Sequence, residues 1–481
     1  MAGASRRYLG RRARALGAPR SALPFLVFLV CWLAIAALGC GEKGPPHLFL
    51  ITSDALRADH LSYNGYARET SPQLDRFAAA ATSFAEAVTV IPKTGPSFTS
   101  MLSGLHPVQH GVEANYFAIP PEVSLVAERL AAAGYQTAAF IGNPVLEAAN
   151  GYGRGFQRYI VYGAGDPVTL VNAAFFRWSR EVDWSRPVFV WIHYIDPHGP
   201  YTPPAELLAP FADDALARGD TRRVPLDYEV MPGWPPDYTL GAIPRYQQIG
   251  IENRAAAYVA RYDAEIRHMD RAFGEVIALL EERDVLDASA VLFTSDHGES
   301  LGEADYWFEH GWFVDEPCLR IPLLLKAPGQ RRSERSNAPA SVLDVAPTLL
   351  ALAGLPPDPR GPGRDLRSAP PPEAPPLLVA NASTYPSRYF GLRTPEWKYL
   401  RRTADSNTAG VPGEPPDEAL YDLSVDRSDR HEITSRRPER VQALRGELEA
   451  RLAARAETPK PLRAPIGEET ERQLRALGYA E

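Results

Sequence analysis

Three short apolar runs constrain what this chain can fold into. Each is continuous rather than alternating, and the runs cover residues 48–52, 188–192 and 290–294. Such runs are typical of strands buried on both faces of a sheet in an α/β fold. Asp54 follows the first run, and Asp296 with His297 follows the third. Because ligands collect at the carboxyl ends of these strands, we expect the three side chains to meet.

A hydroxyl-rich segment at residues 93–104 supplies a candidate nucleophile. Pro96 suits the first turn of a helix, so the sequence predicts a helix over residues 96–102 with Thr94 just before it. A helix start of this kind offers backbone N–H groups and partial positive charge to an anion. A hydroxyl, two carboxylates and an imidazole around a divalent cation can build a metal-activated oxygen nucleophile.

The order of these segments resembles the sulfatase family of the alkaline phosphatase superfamily. Further matching segments are Asp196-x-His198-x-Pro200-Tyr201, Glu309-His310-Gly311, Trp397-Lys398-Tyr399 and Leu420-Tyr421-Asp422-Leu423. The resemblance implies an α/β, alkaline-phosphatase-like sandwich, with a large central mixed sheet flanked by helices and a smaller C-terminal α+β subdomain. It implies a catalytic domain over residues 47–355 and a subdomain with a small sheet and terminal helix over residues 356–481.

The resemblance also implies roles for individual residues. The oxygen of Thr94 would attack sulfur or phosphorus and carry a covalent intermediate, with one divalent metal ion beside it. The implied site residues are Asp54, Thr94, Asp296 and His297 for the metal, Thr94, His198 and His310 for catalysis, and Asn115 and Lys93 for substrate binding.

Structural interpretations stand beside these roles. Asp54 alone fits a turn or a helix cap, and Asn115 fits a loop residue that caps its own backbone. Lys93 fits a solvated lysine, and His198 fits a structural histidine between prolines. A further alternative, as in two-zinc phosphatases, is a second metal site built from Asp196, His198 and His310.

Four positions depart from the family pattern. The nucleophile motif of the family reads Cys-x-Pro-Ser-Arg, whereas this chain has Thr94 at the first place and Phe98 at the last. Asn143 stands where many sulfatases carry lysine, and Ala55 replaces a second aspartate of calcium-binding sulfatases. Thr94 cannot become the formylglycine that sulfatases typically use. These changes favour phosphodiester- or phosphonate-like substrates. They also favour zinc or manganese, with calcium and magnesium as alternatives.

The leading hypothesis is a metal-dependent hydrolase of sulfate- or phosphate-type esters that acts on small-molecule or glycan substrates. The alternatives are a sulfuric ester hydrolase for an envelope or extracellular glycan, a phosphoglycerol-type transferase, and an inactive binding protein. The net charge of −8 and the lack of a basic stripe argue against a nucleic-acid partner.

Residues 1–46 form a separate segment. Six arginines precede an apolar run over residues 22–38, and Cys40 follows. This pattern predicts an export signal with lipidation at Cys40, or else an N-terminal transmembrane anchor, followed by a short linker. Either prediction tethers the catalytic body to a membrane, on the periplasmic or extracellular face of the cell envelope.

Overall fold

The computed structural model describes most of the chain from residue 44 onward. The described residues are 44–163, 166–228, 241–371, 374–383, 388–403, 415–453, 459, 462–463 and 467–478. The predicted signal or anchor segment, with its Cys40, lies outside them. Among the described residues, no helix is long and apolar enough to cross a membrane.

In the described part of the chain, ten strands precede the proline-rich crossing near residue 360. They are β1 (His47–Ser53), β2 (Thr82–Val88), β3 (Gln136–Ile141), β4 (Arg158–Val161), β5 (Val188–Tyr194), β6 (Ser289–Ser295), β7 (Ser300–Glu303), β8 (Tyr306–Glu309), β9 (Leu323–Lys326) and β10 (Glu334–Ser341). β7 and β8 pair with each other, and the other strands form one sheet in the order β10-β2-β9-β6-β1-β5-β3-β4. β9 runs antiparallel to both neighbours and the other pairs are parallel, so the sheet is mixed.

The three predicted strands lie side by side at the centre of this sheet. β1 is paired with β5 on one side and with β6 on the other, and Ser53 is in register with both Tyr194 and Ser295. Every residue of β5 and β6 is buried. The expectation of strands buried on both faces is therefore confirmed.

Alternate side chains of β1 enter two separate core layers. Leu48 and Leu50 belong to one hydrophobic cluster, whereas Phe49 and Ile51 belong to the other. A strand between two apolar layers needs no polar face, which explains the continuous apolar runs.

Helices cover both faces of the sheet. Their bounds are α1 (Pro72–Ala78), α2 (Thr94–Ser103), α3 (Pro107–His110), α4 (Val126–Ala132), α5 (Pro167–Trp178), α6 (Ala205–Ala212), α7 (Ala215–Gly219), α8 (Ala255–Glu282), α9 (Glu316–Leu319), α10 (Val345–Leu352), α11 (Pro438–Ala453) and α12 (Glu468–Ala476). The amphipathic pattern of residues 254–283 predicts one long helix, and the structure confirms it as α8.

Two sequence predictions about helices are corrected. The sequence pattern of residues 120–133, closed by Gly134, predicts a helix over that whole stretch. The observed helix begins only at Val126, and Glu128 accepts a hydrogen bond from the N–H of Leu125 at 2.9 Å. Residues 203–250 are polar and show no clear periodicity in the sequence, which predicts a surface insertion that rims the site and identifies no helix there. The structure shows that they contain α6 and α7. Phe211 of α6 packs against Ala260 and Ala264 of α8, a tertiary contact that local periodicity does not show.

The C-terminal part contains the predicted small sheet. Its antiparallel strands are β11 (Leu377–Ala380), β12 (Tyr389–Arg393), β13 (Trp397–Arg402) and β14 (Glu418–Asp422). α11 buries Val441, Leu444 and Leu448 in a cluster shared with this sheet. The predicted α/β sandwich with a smaller α+β part is thus the observed fold, while the boundary at residue 356 stays a prediction.

A buried ion pair joins this small sheet to the main one. Arg393 of β12 donates to Glu316 of α9, with Nη2 2.9 Å from Oε2, and Nη2 also lies 3.5 Å from Glu86 of β2. The Arg393 and Glu316 side chains are only 4 % and 2 % exposed. Removing one partner of such a pair leaves a buried, uncompensated charge.

We therefore expect Glu316→Ala to lower the free energy of unfolding by about 3–5 kcal/mol and to lower the thermal midpoint accordingly. The control is Glu447→Ala, which removes a half-exposed pair with Arg451 and should cost less than about 1 kcal/mol. Thermal unfolding of both variants measures the difference. Equal midpoints would contradict the assigned role of the buried pair.

Candidate active site

The turns that follow β1 and β6 are tied together by hydrogen bonds. The N–H of Ala55 donates to Oδ1 of Asp296 at 3.2 Å, and the N–H of Leu56 donates to Oγ of Ser295 at 3.0 Å. Ala55 adopts the left-handed region with φ 56°, a conformation that alanine rarely adopts. The carboxylates of Asp54 and Asp296 are thereby brought to one point at the edge of the sheet.

Asp54, Asp296 and His297 form a cluster with the donor set of a divalent-metal site. Each places a ligand atom within 4.8 Å of the other two, and all three side chains are buried. Oδ1 of Asp54 and Oδ2 of Asp296 have no hydrogen-bond partner. Nδ1 of His297 lies 2.8 Å from the carbonyl oxygen of Gly298 and so carries the proton, which leaves the Nε2 lone pair for a ligand. Two carboxylate oxygens and one imidazole nitrogen fit zinc or manganese.

The electrostatics of the cluster call for a positive charge. Burial, and then the charge of Asp54, raise the pKa of Asp296 well above its ordinary value. Burial alone would also raise the pKa of Asp54. The hydrogen bond with His193 and the charges of the nearby histidines outweigh burial and lower this pKa to about 2. Burial lowers the pKa of His297 to about 4, so this imidazole is neutral near pH 7. A cation between the carboxylates would allow both to ionise.

Thr94 is the first residue of α2 and is fully buried. Its Oγ1 lies 3.5 Å from Nε2 of His297. The structure therefore brings the predicted nucleophile to the predicted metal ligands, across more than two hundred residues of sequence.

The start of α2 supplies fewer N–H donors than expected. The N–H of Gly95 donates to Oδ1 of Asn115 at 2.8 Å, and the N–H of Ser97 donates to the carbonyl oxygen of Lys93 at 3.0 Å. Pro96 has no N–H. The N–H groups of Gly95 and Ser97 are therefore engaged within the protein and do not face a bound anion, which corrects the expectation for these two residues.

Asn115 instead presents a side-chain donor beside Thr94. Since only the amide oxygen can accept from the Gly95 N–H, the orientation of the Asn115 amide is fixed. Its Nδ2 is buried without a hydrogen-bond partner, and the residue is 1 % exposed. A buried amide donor of this kind suits a substrate oxygen.

His198 and His310 lie against the metal-ligand cluster. The ring centroid of His310 is 4.1 Å from that of His297 and 5.1 Å from that of His198. Burial is the main cause that lowers the pKa of both, and the charge of Lys93 lowers each further. The charge of Lys93 therefore acts on both histidines, while its predicted role in substrate binding stays a prediction.

Glu299, to which the sequence motif assigned no role, contacts one of the predicted catalytic histidines. Its buried Oε1 lies 3.0 Å from Nδ1 of His310, and its Oε2 accepts from Tyr201 Oη at 3.2 Å. It follows His297 by two positions, which was the available signal. Nδ1 of His198 lies 2.8 Å from the carbonyl oxygen of Gly199, so backbone holds that ring instead.

The structure does not join Asp196 to His198 and His310 as a second metal site. Oδ2 of Asp196 lies 2.9 Å from Nδ1 of His268, and these two residues group with Glu265 of α8. The reason is that α8 packs beside the loop after β5, a tertiary contact that the motif Asp196-x-His198 does not reveal.

Comparison with known proteins decides the family. The profile of the family described as Sulfatase matches residues 46–355, which is more than half of the chain. The chain belongs to the sulfatase family.

The names of the sequence relatives of this sulfatase-family chain refer to different sulfate esters. It is 25% identical over 402 residues to the ulvan-active sulfatase of Formosa agariphila, covering 75% of this chain and 74% of that protein. It is 30% identical over 268 residues to the choline-sulfatase of Rhizobium meliloti, covering 53% and 48%. It is 25% identical over 463 residues to arylsulfatase K of Canis lupus familiaris, covering 84% and 82%.

Solved structures share the fold at lower identity. One, bound to its substrate D-glucosamine-2-N,6-O-disulfate, has a TM-score of 0.68 at 19% identity and covers 85% of this chain and 98% of its own. The phosphonate monoester hydrolase of Agrobacterium radiobacter has a TM-score of 0.66 at 18% identity and covers 85% and 96%. The fold is thus that of alkaline-phosphatase-like sulfatases.

Phe98 stands where the family motif has arginine, and in this structure it is a core residue. It is fully buried, with its ring centroid 5.3 Å from Trp191 and 4.8 Å from His193. The aromatic packing leaves this position without the positive charge that the family motif would supply.

Asn143 and His193 hold one oxygen of Asp54. Nδ2 of Asn143 donates to Oδ2 of Asp54 at 2.7 Å, and Nε2 of His193 lies 3.4 Å from the same oxygen. His193 is oriented from its other side by Thr52, whose Oγ1 is 3.0 Å from Nδ1. Because Oδ2 is engaged, Oδ1 is the oxygen that remains for a metal. In the sequence, Asn143 indicates only a replaced lysine, and His193 fits a structural residue or the remains of a second metal site.

We expect Asn143→Ala to weaken binding of Mn²⁺ or Zn²⁺ by about 10–100-fold, because the group that orients the ligand is lost. Isothermal titration calorimetry measures the change. The control is Asn64→Ala, an exposed residue whose Nδ2 donates to the carbonyl oxygen of Ala58. Indistinguishable affinities in the two variants would argue against the orienting role.

Proposed function

We propose that this sulfatase-family hydrolase cleaves sulfate- or phosphate-type esters with Oγ1 of Thr94 as its nucleophile, through a covalent ester on that residue. The observation that carries the proposal is the 3.5 Å distance from Thr94 Oγ1 to Nε2 of His297, within a buried cluster that has two unpartnered carboxylate oxygens.

A divalent cation held by Asp54, Asp296 and His297 would lower the pKa of the Thr94 hydroxyl and balance developing negative charge. The protein supplies the other parts. The Thr94 hydroxyl releases its proton to solvent, and Oγ1 forms a bond to sulfur or phosphorus. The bond from that atom to the leaving oxygen breaks, and the leaving oxygen takes up a proton by way of His198. Water then cleaves the Thr94 ester and restores the hydroxyl.

His198 would exchange a proton with the leaving group. Its Nδ1 is held by the carbonyl oxygen of Gly199, so Nε2 is the atom that would exchange a proton with the leaving oxygen. Asn115 Nδ2 and Lys93 would bind the oxygens of the tetrahedral group. Both contribute charge or hydrogen bonds without reacting.

The charge of the site favours tetrahedral groups with a single negative charge. Phe98 and Asn143 are neutral where the family carries arginine and lysine, so the site has two fewer positive charges to offset an anion. Sulfate esters, phosphodiesters and phosphonate monoesters carry one charge at the reacting group, whereas phosphate monoesters carry two above their second pKa of about 6. Fold neighbours that include a phosphonate monoester hydrolase are in keeping with this substrate range.

We expect Thr94→Ala to reduce turnover of p-nitrophenyl esters by at least about 10³-fold, because the nucleophile is absent, while Thr94→Ser retains measurable activity. Release of p-nitrophenol, with and without a chelator, measures both effects. Wild-type activity in Thr94→Ala would exclude Thr94 as nucleophile. Transfer of the group to glycerol instead of water would support the transferase alternative, and no turnover of any ester would support a binding protein.

We also expect the specificity constant for bis(p-nitrophenyl) phosphate to exceed that for p-nitrophenyl phosphate by about tenfold or more, a difference of about 1.4 kcal/mol in transition-state binding. Asn143→Lys should narrow this ratio, because it restores a positive charge beside Asp54. A wild-type preference for the phosphate monoester would contradict the charge argument.

A further inference from the structure

Gln247 connects the insertion at residues 203–250 to the candidate active site. It ends the short 3₁₀ turn Arg245–Gln247, and its side chain is fully buried. Its Nε2 donates to the carbonyl oxygen of Phe308 at 3.2 Å. Because this carbonyl oxygen can only accept, the orientation of the Gln247 amide is fixed. The insertion thereby contacts β8, the strand that His310 directly follows.

The same amide contacts Gly199. A methyl group placed on Gly199 would overlap the Gln247 amide, so the close approach requires a residue without Cβ. Gly199 directly follows His198, and its carbonyl oxygen lies 2.8 Å from Nδ1 of that histidine. The backbone that orients the His198 ring is therefore in contact with Gln247.

Gln247 thus stands between the two segments that carry the predicted catalytic histidines. On one side it contacts the residue after His198, and on the other the carbonyl oxygen two positions before His310. The ring centroids of these histidines are 5.1 Å apart. Phe308 adopts the left-handed region with φ 54°, which bulky residues rarely adopt. The hydrogen bond from Gln247 therefore holds an unfavourable backbone conformation next to His310.

One polar atom of Gln247 is unsatisfied. Its Oε1 is buried and has no hydrogen-bond partner in the described part of the chain. A buried acceptor without a partner lowers stability, so an apolar side chain of the same length would suit this position better for packing alone. The cost indicates a role for the Nε2 donor that packing does not provide.

Neighbouring contacts fix the turn that carries Gln247. Nε2 of Gln248 donates to the carbonyl oxygens of Leu226 and Ile243 at 2.6 and 3.0 Å. The N–H of Ile249 donates to Oη of Tyr258 on α8 at 3.1 Å. These bonds tie the turn to the insertion and to α8. The turn is therefore a firm support for the segments that Gln247 contacts.

We propose that Gln247 is a positioning residue that sets the separation of the His198 and His310 segments. It thereby holds Nε2 of His198 where that atom exchanges a proton with the leaving oxygen. The inference rests on the proposed function, which gives His198 this role. Without the Gln247 amide, the loop after β5 shifts, and protonation of the leaving oxygen becomes less effective. Thr94 and the metal ligands lie on other segments and keep their places.

The test compares leaving groups, because a misplaced general acid matters most where the leaving oxygen is basic. The probes are the p-nitrophenyl and phenyl esters of sulfuric acid, of methylphosphonic acid and of methyl phosphate. The pKa of phenol is close to that of tyrosine, about 10, whereas p-nitrophenolate is a much weaker base.

We expect Gln247→Met to lower kcat for the phenyl esters by about tenfold or more, since a positioned general acid contributes about 10²–10⁴-fold. The p-nitrophenyl esters should lose less than about threefold in kcat, and KM should change less than about twofold for both leaving groups. A role in packing alone would lower the rates of both esters together.

Gln248→Met is the matched control, because it removes two hydrogen bonds from the next residue. It should leave the ratio of the phenyl and p-nitrophenyl rates unchanged. Gly199→Ala disturbs the same contact from the other side, since its methyl group displaces the Gln247 amide. It should reproduce the selective loss with phenyl esters, and it provides the test if Gln247→Met does not fold.

An equal loss with both leaving groups, or no loss in Gln247→Met and Gly199→Ala, overturns the positioning role while leaving the proposed function intact. Failure of the proposed function would show in the wild-type protein, either as no turnover of any of these esters or as turnover that Thr94→Ala does not reduce. The positioning role would then fall with it.

Discussion

The register of three parallel strands is the constraint on which the rest of this structure depends. β1 lies between β5 and β6, with Ser53 level with Tyr194 and Ser295. Each strand ends at the same edge, so the residues that follow must share a small volume. The backbone hydrogen bonds between these strands therefore fix the separation of the Asp54 and Asp296 backbones, independently of side-chain contacts. Two buried carboxylates at that distance repel each other, and a divalent cation is the natural counter-charge.

Neutral side chains surround Asp54 at the positions where the family pattern has arginine and lysine. Asn143 donates to the oxygen that faces away from His297, and His193 approaches the same oxygen. Phe98 fills the remaining space by packing on His193 and Trp191. Neutral donors thus orient the carboxylate, whereas an arginine or lysine here would also attract the substrate anion. The chemistry of the nucleophile and the charge preference of the site are linked through this one group of residues.

The sequence predicted the centre of the fold and of the site because both depend on local patterns. Continuous apolar runs identified β1, β5 and β6, and polar residues directly after them identified Asp54, Asp296 and His297. What it missed depends on contacts between distant segments. Glu299 and His193 gain their roles from His310 and Asp54, and Asp196 turns to His268 because α8 packs beside it. Phe211 of α6 packs on α8, and this contact stabilises α6. The N–H of Gly95 donates to Asn115, which lies twenty residues further along the chain.

The most direct measurement is the position of a bound metal, located by anomalous scattering from crystals grown with Mn²⁺ or Zn²⁺. We expect one ion about 2.0–2.2 Å from Oδ1 of Asp54, Oδ2 of Asp296 and Nε2 of His297, with Thr94 Oγ1 as a further ligand. An ion held only by Asp196, Glu265 and His268, the other group of metal-compatible side chains in the described part of the chain, would contradict it. So would an ion near Asp54 that leaves Thr94 out of reach.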